Sequence, residues 1–177
     1  DIRRIMALLP KKRQSLFFSA TISREIQRLS EELLSNPVSV AIAPKEPTVD
    51  RIAQKVFFVD NKKKNSLLLS ILEKREVSKV IIFTQMKHTA NKLAEKLNKS
   101  GVRSSAIHGN KSQSARMKAL DSFRSGRLRV LVATDVAARG IDVDGITHVI
   151  NYQLPKEPET YVHRIGRTAR AGSDGAA

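Results

Sequence analysis

The sequence predicts an α/β protein in which a parallel sheet carries helices on both faces, preceded by a smaller strand–helix–strand unit. Three observations predict it. From about residue 55, short β-rich runs alternate with helical patterns, the mark of stacked βαβ units. Two of those runs, Val80-Ile81-Ile82-Phe83 and Val130-Leu131-Val132-Ala133, are apolar throughout, as strands covered on both faces must be. The first 50 residues carry a pattern of their own, set off by Ala43-Pro44-Lys45-Glu46-Pro47-Thr48, which bears proline and lacks apolar periodicity.

In chain order, Leu16-Phe17-Phe18 predicts a strand. Ile26, Leu29 and Leu33 then mark one face of a helix with Ser23 as N-cap, and Val38 to Ile42 predicts a second strand. Two short strands and one helix cannot bury their own faces, so this unit is expected to belong to a preceding domain. Val56-Phe57-Phe58-Val59 predicts the first strand of the larger domain, and Leu68, Ile71 and Leu72 the helix after it, with Lys62 to Lys64 as its solvated entry. The strand Val80–Phe83 leads to a helix with Ala90, Leu93, Ala94 and Leu97 on one face and Gly101 as a left-handed stop. Next come a strand from Ser104 to Ile107 and a helix with Ala115, Ala119 and Phe123, closed by Gly126. The strand Val130–Ala133, a strand near Thr147 to Asn151 and a helix from about Glu157 complete the series.

Composition narrows the function. The 177 residues hold 32 Lys+Arg against 17 Asp+Glu, a formal charge of +15, which points to a polyanion bound through its phosphates. A solvated basic surface would give the same count. With 41% hydrophobic residues a packed core is affordable, so overall disorder is excluded. Absence of cysteine excludes disulfides, Cys-ligated zinc and thiol catalysis, and four histidines, mostly far apart, make a His-rich metal site improbable. The N-terminus has no signal-peptide core and no apolar run is long enough to span a membrane, so a cytoplasmic location without membrane contact is expected.

Ligands of open α/β sheets bind beyond the carboxyl ends of the strands, which directs attention to three segments. Thr134-Asp135, followed by Arg139-Gly140-Ile141-Asp142, sets a hydroxyl, carboxylates and a permissive glycine after a strand, suited to ribose and phosphate contacts and equally to an ordinary turn. His163-Arg164-Ile165-Gly166-Arg167-Thr168-Ala169-Arg170 would put Arg164, Arg167 and Arg170 within about 120° of one helix at about 100° per residue. Guanidiniums so crowded repel one another unless an anion or carboxylates share the site, and a transferring phosphoryl group is one such anion. A basic helix face is the plainer alternative, against which Gly166 argues, because a surface helix gains nothing from glycine. His108-Gly109-Asn110-Lys111 through Arg116 sits between a strand end and a helix N-terminus, where a phosphodiester could dock or where a simple turn would do. Ser19-Ala20-Thr21 ends the first strand and could relay hydrogen bonds at a domain boundary or cap the next helix.

Together, and in this order and spacing, Ser19-Ala20-Thr21, the run to Phe83, His108-Gly109 with Gln113 and Arg116, Ala133-Thr134-Asp135 through Asp142, and His163 through Arg170 resemble the second half of a DEAD-box RNA helicase. Phe57 to Lys63 and Ile107 to Gln113 look most like the bacterial RhlE-type subgroup. The resemblance implies two RecA-like domains with ATP and Mg²⁺ between them and single-stranded RNA across both. Residues 1–44 would be the end of the first domain, 45–50 a linker, and 51–177 the second domain, truncated at its end. By the resemblance Arg167 and Arg170 are fingers reaching the γ-phosphate and therefore catalytic. Gly140 and Asp142 bind the nucleotide, while Gly109, Arg116 and Thr134 bind the RNA backbone with little sequence preference. Ser19, Thr21, Arg139, His163 and Arg164 couple the two domains.

Three departures accompany the resemblance. The phosphate-binding loop, the Asp-Glu-Ala-Asp box and the Mg²⁺ ligands are absent from these 177 residues, so the segment is expected to be inactive alone and to need the rest of the first domain as partner. Met86 stands where a threonine is usual and cannot donate to a phosphate. Ala169 stands where glycine is commoner, a change a helix would tolerate. The apolar face of Ile26, Leu29 and Leu33 is further expected to pack either on the second domain or on a neighbouring chain, the latter being self-association through this segment. Two rival functions are a stand-alone RNA-binding module, which leaves the arginines and Asp142 without a reason, and a DNA-directed superfamily-2 helicase.

Overall fold

The computed structural model describes residues 2–19, 22–41, 51–138, 140–170 and 173–177. Thr21, Arg139 and the Ala43–Thr48 linker lie outside the described residues. The chain divides into two compact units, Asp1–Pro44 and Lys45–Ala177.

The first unit contains helices α1 (Ile2–Ala7) and α2 (Arg24–Leu33). Ser23 caps α2 as expected: its backbone is extended and its Oγ accepts from the Ile26 amide at 3.3 Å, meeting one of the donors a helix start leaves over. Ile26, Leu29 and Leu33 are half-buried. The strands expected at Leu16–Phe18 and Val38–Ile42 do not form among the described residues, and the helix α1 was not foreseen. An apolar run becomes a strand only where a neighbour supplies a hydrogen-bonding ladder, and the described residues here supply none.

The second unit is a six-stranded sheet in the order β1-β6-β5-β2-β4-β3, parallel at every pairing: β1 (Ile52–Ala53), β2 (Val80–Phe83), β3 (Ser104–Ile107), β4 (Val130–Ala133), β5 (His148–Asn151) and β6 (Gly175–Ala176). The intervening helices are α3 (Lys64–Leu72), α4 (Lys87–Lys99), α5 (Gln113–Arg124), α6 (Asp135–Ala138) and α7 (Pro158–Ile165). Side-chain alternation assigns the two faces. Val80, Ile82, Val130 and Val132 pack with Leu68, Leu72, Leu93 and Leu97 of α3 and α4. Ile81, Phe83, Leu131 and Ala133 pack with Ala119 and Phe123 of α5 and Ala137 and Ala138 of α6. The continuous apolar runs are therefore the centre of the sheet, each such side chain contributing roughly 1.5–3 kcal/mol.

Two expectations change. The strand placed at Val56–Val59 lies instead at Ile52–Ala53, where Ile52 and Ala53 pair with Gly175 and Ala176 of β6. Phe58, 96% exposed, stands beyond it. Ala115 is exposed, leaving Ala119 and Phe123 as the buried face of α5. Gly101 (φ 80°) and Gly126 (φ 74°) close α4 and α5 in the left-handed region, as expected.

Candidate functional site

Parallel strands in register end at one level: Phe83 pairs with Ala133 and Asn151, and Ala133 with Ile107. The residues that follow, Thr84, Thr134, His108 and Tyr152, therefore form one rim, on which Thr134 stands and which Gly109 directly follows. Thr134 is buried at the end of β4 and its carbonyl accepts from the amides of Ala137 and Ala138, opening α6. His108, also buried, bonds through Nε2 to Asn91 Oδ1 at 2.9 Å and accepts at Nδ1 from the Asn110 amide at 3.3 Å. Burial first, then the charges of Lys111 and Lys87, lower the pKa of its imidazole from the ordinary value. Gly109 is exposed beside Lys87, whose Nζ reaches Asn110 Oδ1 at 2.7 Å. Arg116, on the first turn of α5, is half-buried; its Nη1 donates to Gln113 Oε1 at 3.3 Å while its buried Nε has no partner.

The three arginines do not share a helix face. The Gly166 amide bonds to Val162 O at 2.9 Å and ends α7, with Gly166 itself at an ordinary helical φ, and the chain then turns away. Arg164 differs most from expectation. Its side chain is 1% exposed and forks onto Asp135, Nε to Oδ1 at 2.6 Å and Nη2 to Oδ2 at 2.9 Å. Nη1 donates to Asn151 Oδ1 and Gln153 O at 2.9 and 2.7 Å, and the guanidinium lies 5.0 Å from the centre of the Phe83 ring. A side chain so enclosed braces α7 against the ends of β4 and β5. His163 is exposed next to it.

Arg170 Nη1 meets Asp142 Oδ1 at 2.6 Å and its Nε donates to Gly166 O at 3.1 Å; the Asp142 side chain is 84% exposed. Arg167 donates to Ile141 O at 3.1 Å and His163 O at 3.2 Å and has no carboxylate partner among the described residues. Burial, then the Arg170 charge, lower its pKa against the opposing pull of Asp142. Two of the three guanidiniums are thus neutralised by carboxylates, and the third is met only by carbonyls. Gly140 has φ 74°, which glycine adopts without strain, and open space where a Cβ would stand.

Ala169 is not in a helix: it is buried at φ 54°, in the left-handed region. Glycine would remove a strain of about 1 kcal/mol there, whereas the alanine methyl, packed with Ile52 and Ile165, returns about 0.8 kcal/mol. Met86 is half exposed at the entry to α4. Ser19 lies exposed in the first unit, and Thr21 and Arg139 fall outside the described residues. Sequence reasoning missed the bracing role of Asp135 and the contributions of Asn151 and Gln153. An arginine directly before the apolar Ile165 in α7 was the available signal, since an arginine drawn into the core requires a carboxylate. Among the described residues no three His, Cys, Asp or Glu side chains gather as metal ligands would, and no helix is long and apolar enough to cross a membrane.

Residues 63–172 match the family described as "helicase conserved C-terminal domain". Over all 177 residues the chain is 44% identical to the DEAD-box ATP-dependent RNA helicase CshA of Geobacillus kaustophilus and spans 38% of that protein's length. Among solved structures it is similar to Dbp5 of S. cerevisiae bound to RNA and ADP BeF3, at TM-score 0.84 and 33% identity, covering 98% of this chain and 46% of that one. It is also similar to the E. coli DEAD-box protein SrmB bound to the regulator of ribonuclease activity A, at TM-score 0.64 and 42% identity, over 67% of this chain and 69% of that one.

Proposed function

Because the chain belongs to the helicase conserved C-terminal domain family, in the form DEAD-box proteins carry, we propose that it supplies the second RecA-like domain, with the end of the first, of an ATP-dependent RNA helicase. In this reading residues 1–44 belong to the first domain, 45–50 link the two, and 51–177 form the second, acting in the cytoplasm. RNA lies across the rim, its backbone met by Gly109, Arg116 and Thr134. ATP lies between the domains with its ribose near Gly140 and Asp142 and its γ-phosphate toward Arg167 and Arg170; the Mg²⁺ that accompanies the phosphates takes its protein ligands from the rest of the first domain. Ser19, Thr21, Arg139 and His163 are assigned the coupling of the two domains, and Arg164 acts through Asp135 by holding α7 in place. The CshA and Dbp5 names support both ligands, and the Phe57–Lys63 and Ile107–Gln113 segments favour the RhlE-type subgroup.

The observation that carries the reading is the charge arrangement around Asp142. Arg170 holds a carboxylate at 2.6 Å, and Arg167 beside it is answered by carbonyls alone. A γ-phosphate gives both guanidiniums a bidentate partner, and a phosphoryl group in transfer gains most from such fixed charge. This segment alone is expected to be inactive. In the full-length protein, Arg167→Ala and Arg170→Ala should each reduce RNA-stimulated ATP hydrolysis about a thousandfold or more, as loss of an arginine finger does. Unchanged turnover overturns the finger assignment, and stimulation by DNA in preference to RNA overturns the choice of nucleic acid.

A further inference from the structure

At the opposite end of the sheet a cavity of about 590 Å³ opens where β2, β3 and β4 begin. Lys79, Arg103 and Arg129, the residues directly before these strands, lie side by side because Val130 pairs with both Val80 and Ser104. Lys74 and Arg75, from the turn after α3, complete a lining in which Glu73 is the sole carboxylate. Neighbouring strands are about 4.8 Å apart, so these cations repel one another unless something answers them.

Helix C-termini answer part of the charge. α3, α4 and α5 all end on this side, and cations beside their last carbonyls are favourable. Arg129 is spent in this way: it donates to Val77 O at 3.1 Å through Nε and to Leu72 O and Val77 O through Nη2. Lys79 Nζ is held by Arg124 O at 3.3 Å and Asp144 O at 3.1 Å. These bonds fix the loops that wall the cavity. Lys74, Arg75 and Arg103 are exposed and make no side-chain hydrogen bond or ion pair among the described residues. Three unanswered cations thus surround a concavity whose walls are already tied down.

We propose that this basal cavity binds the phosphodiester backbone of an RNA strand, as a second contact remote from the carboxyl-end rim. The proposal rests on the RNA reading above. The lining favours a nucleic acid over a protein partner, since Val77 and Leu128 are its apolar members and it offers no aromatic anchor of the kind that dominates protein interfaces. Without aromatic side chains it cannot stack bases, so the contact is to phosphate and indifferent to sequence.

The test measures single-stranded RNA binding to the 177-residue chain across a salt series. Each phosphate contact contributes about 0.7 to the slope of log K against log salt, so the triple variant Lys74→Ala, Arg75→Ala, Arg103→Ala should flatten the slope by about 2. A control removing the same charge from exposed positions outside the cavity, Lys11→Ala, Lys12→Ala, Lys92→Ala, should leave most of the slope in place. An equal effect from the control, no effect from the triple variant, or no RNA binding at all overturns the cavity assignment. Displacement of RNA by polyglutamate as readily as by competing RNA makes the cavity an acidic-peptide site and also overturns it. Arg116→Ala reports separately: if it weakens RNA binding while the triple variant does not, the rim reading stands and the basal site falls.

Discussion

A guanidinium enclosed to 1% exposure is tolerable only while its N–H groups are met, and Arg164 meets four of its five through Asp135, Asn151 and Gln153. Arg164→Ala would strand Asp135 and Asn151 and open a void over Phe83. Removal of one partner of a buried pair costs about 3–5 kcal/mol, and the 36% exposure of Asp135 puts the expectation at the low end. Arg164→Lys keeps the charge but cannot bridge both carboxylate oxygens and lie along the ring, so it should fall between. Urea denaturation of the three proteins checks this; a lysine variant as stable as the native protein would show that the fork contributes nothing. The sequence made the arginines conspicuous and implied that an anion or carboxylates must share their site. It did not reveal which, because Asp135 and Asp142 lie 29 and 28 residues from their partners and meet them only through the order of the strands.

At the scale of elements, β6 joins β1 to β5, and its Gly175 packs on the Thr168 turn. A Cβ there would stand 2.3 Å from Thr168 Oγ1 and 2.8 Å from the Ala169 amide nitrogen, while that Thr168 hydroxyl donates to Ile146 O. Since backbone cannot yield cheaply, Gly175→Ala should destabilise the domain by at least the roughly 1–3 kcal/mol of an overpacked core. Amide exchange should rise first in β1 and β6, and native-like exchange there would refute the argument. β2 and β4 were legible as short continuous apolar runs and α4 from its one-faced apolar spacing, while β3 and β5 were legible from the alternation of strands and helices around them. β1 and β6 were not. Two-residue strands have no period, and their positions depend on where a ladder happens to be available. The arginine segment misled for a related reason: its spacing suits a helix, but Gly166 ends α7 and the left-handed Ala169 turns the chain.

For the whole molecule, a charge of +15 and a run of exposed apolar residues act in opposite directions. In the first unit Phe18, Val38 and Val40 are 87%, 90% and 83% exposed, large apolar side chains left to water, and exposed apolar surface promotes association. Charge repulsion keeps copies apart at low salt, where the Debye length is about 30 Å at 0.01 M. At about 1 M it shrinks to about 3 Å, while the apolar attraction persists. The 177-residue chain should therefore self-associate, and more strongly as salt rises, the reverse of its expected binding to RNA. Sedimentation velocity over a concentration series at both salts tests this. The variant Phe18→Ser, Val38→Ser, Val40→Ser, altered only at exposed positions, should stay monomeric at both. A native chain that stays monomeric at high salt would mean that this surface is covered within the protein, and the first unit would need no partner to hide it.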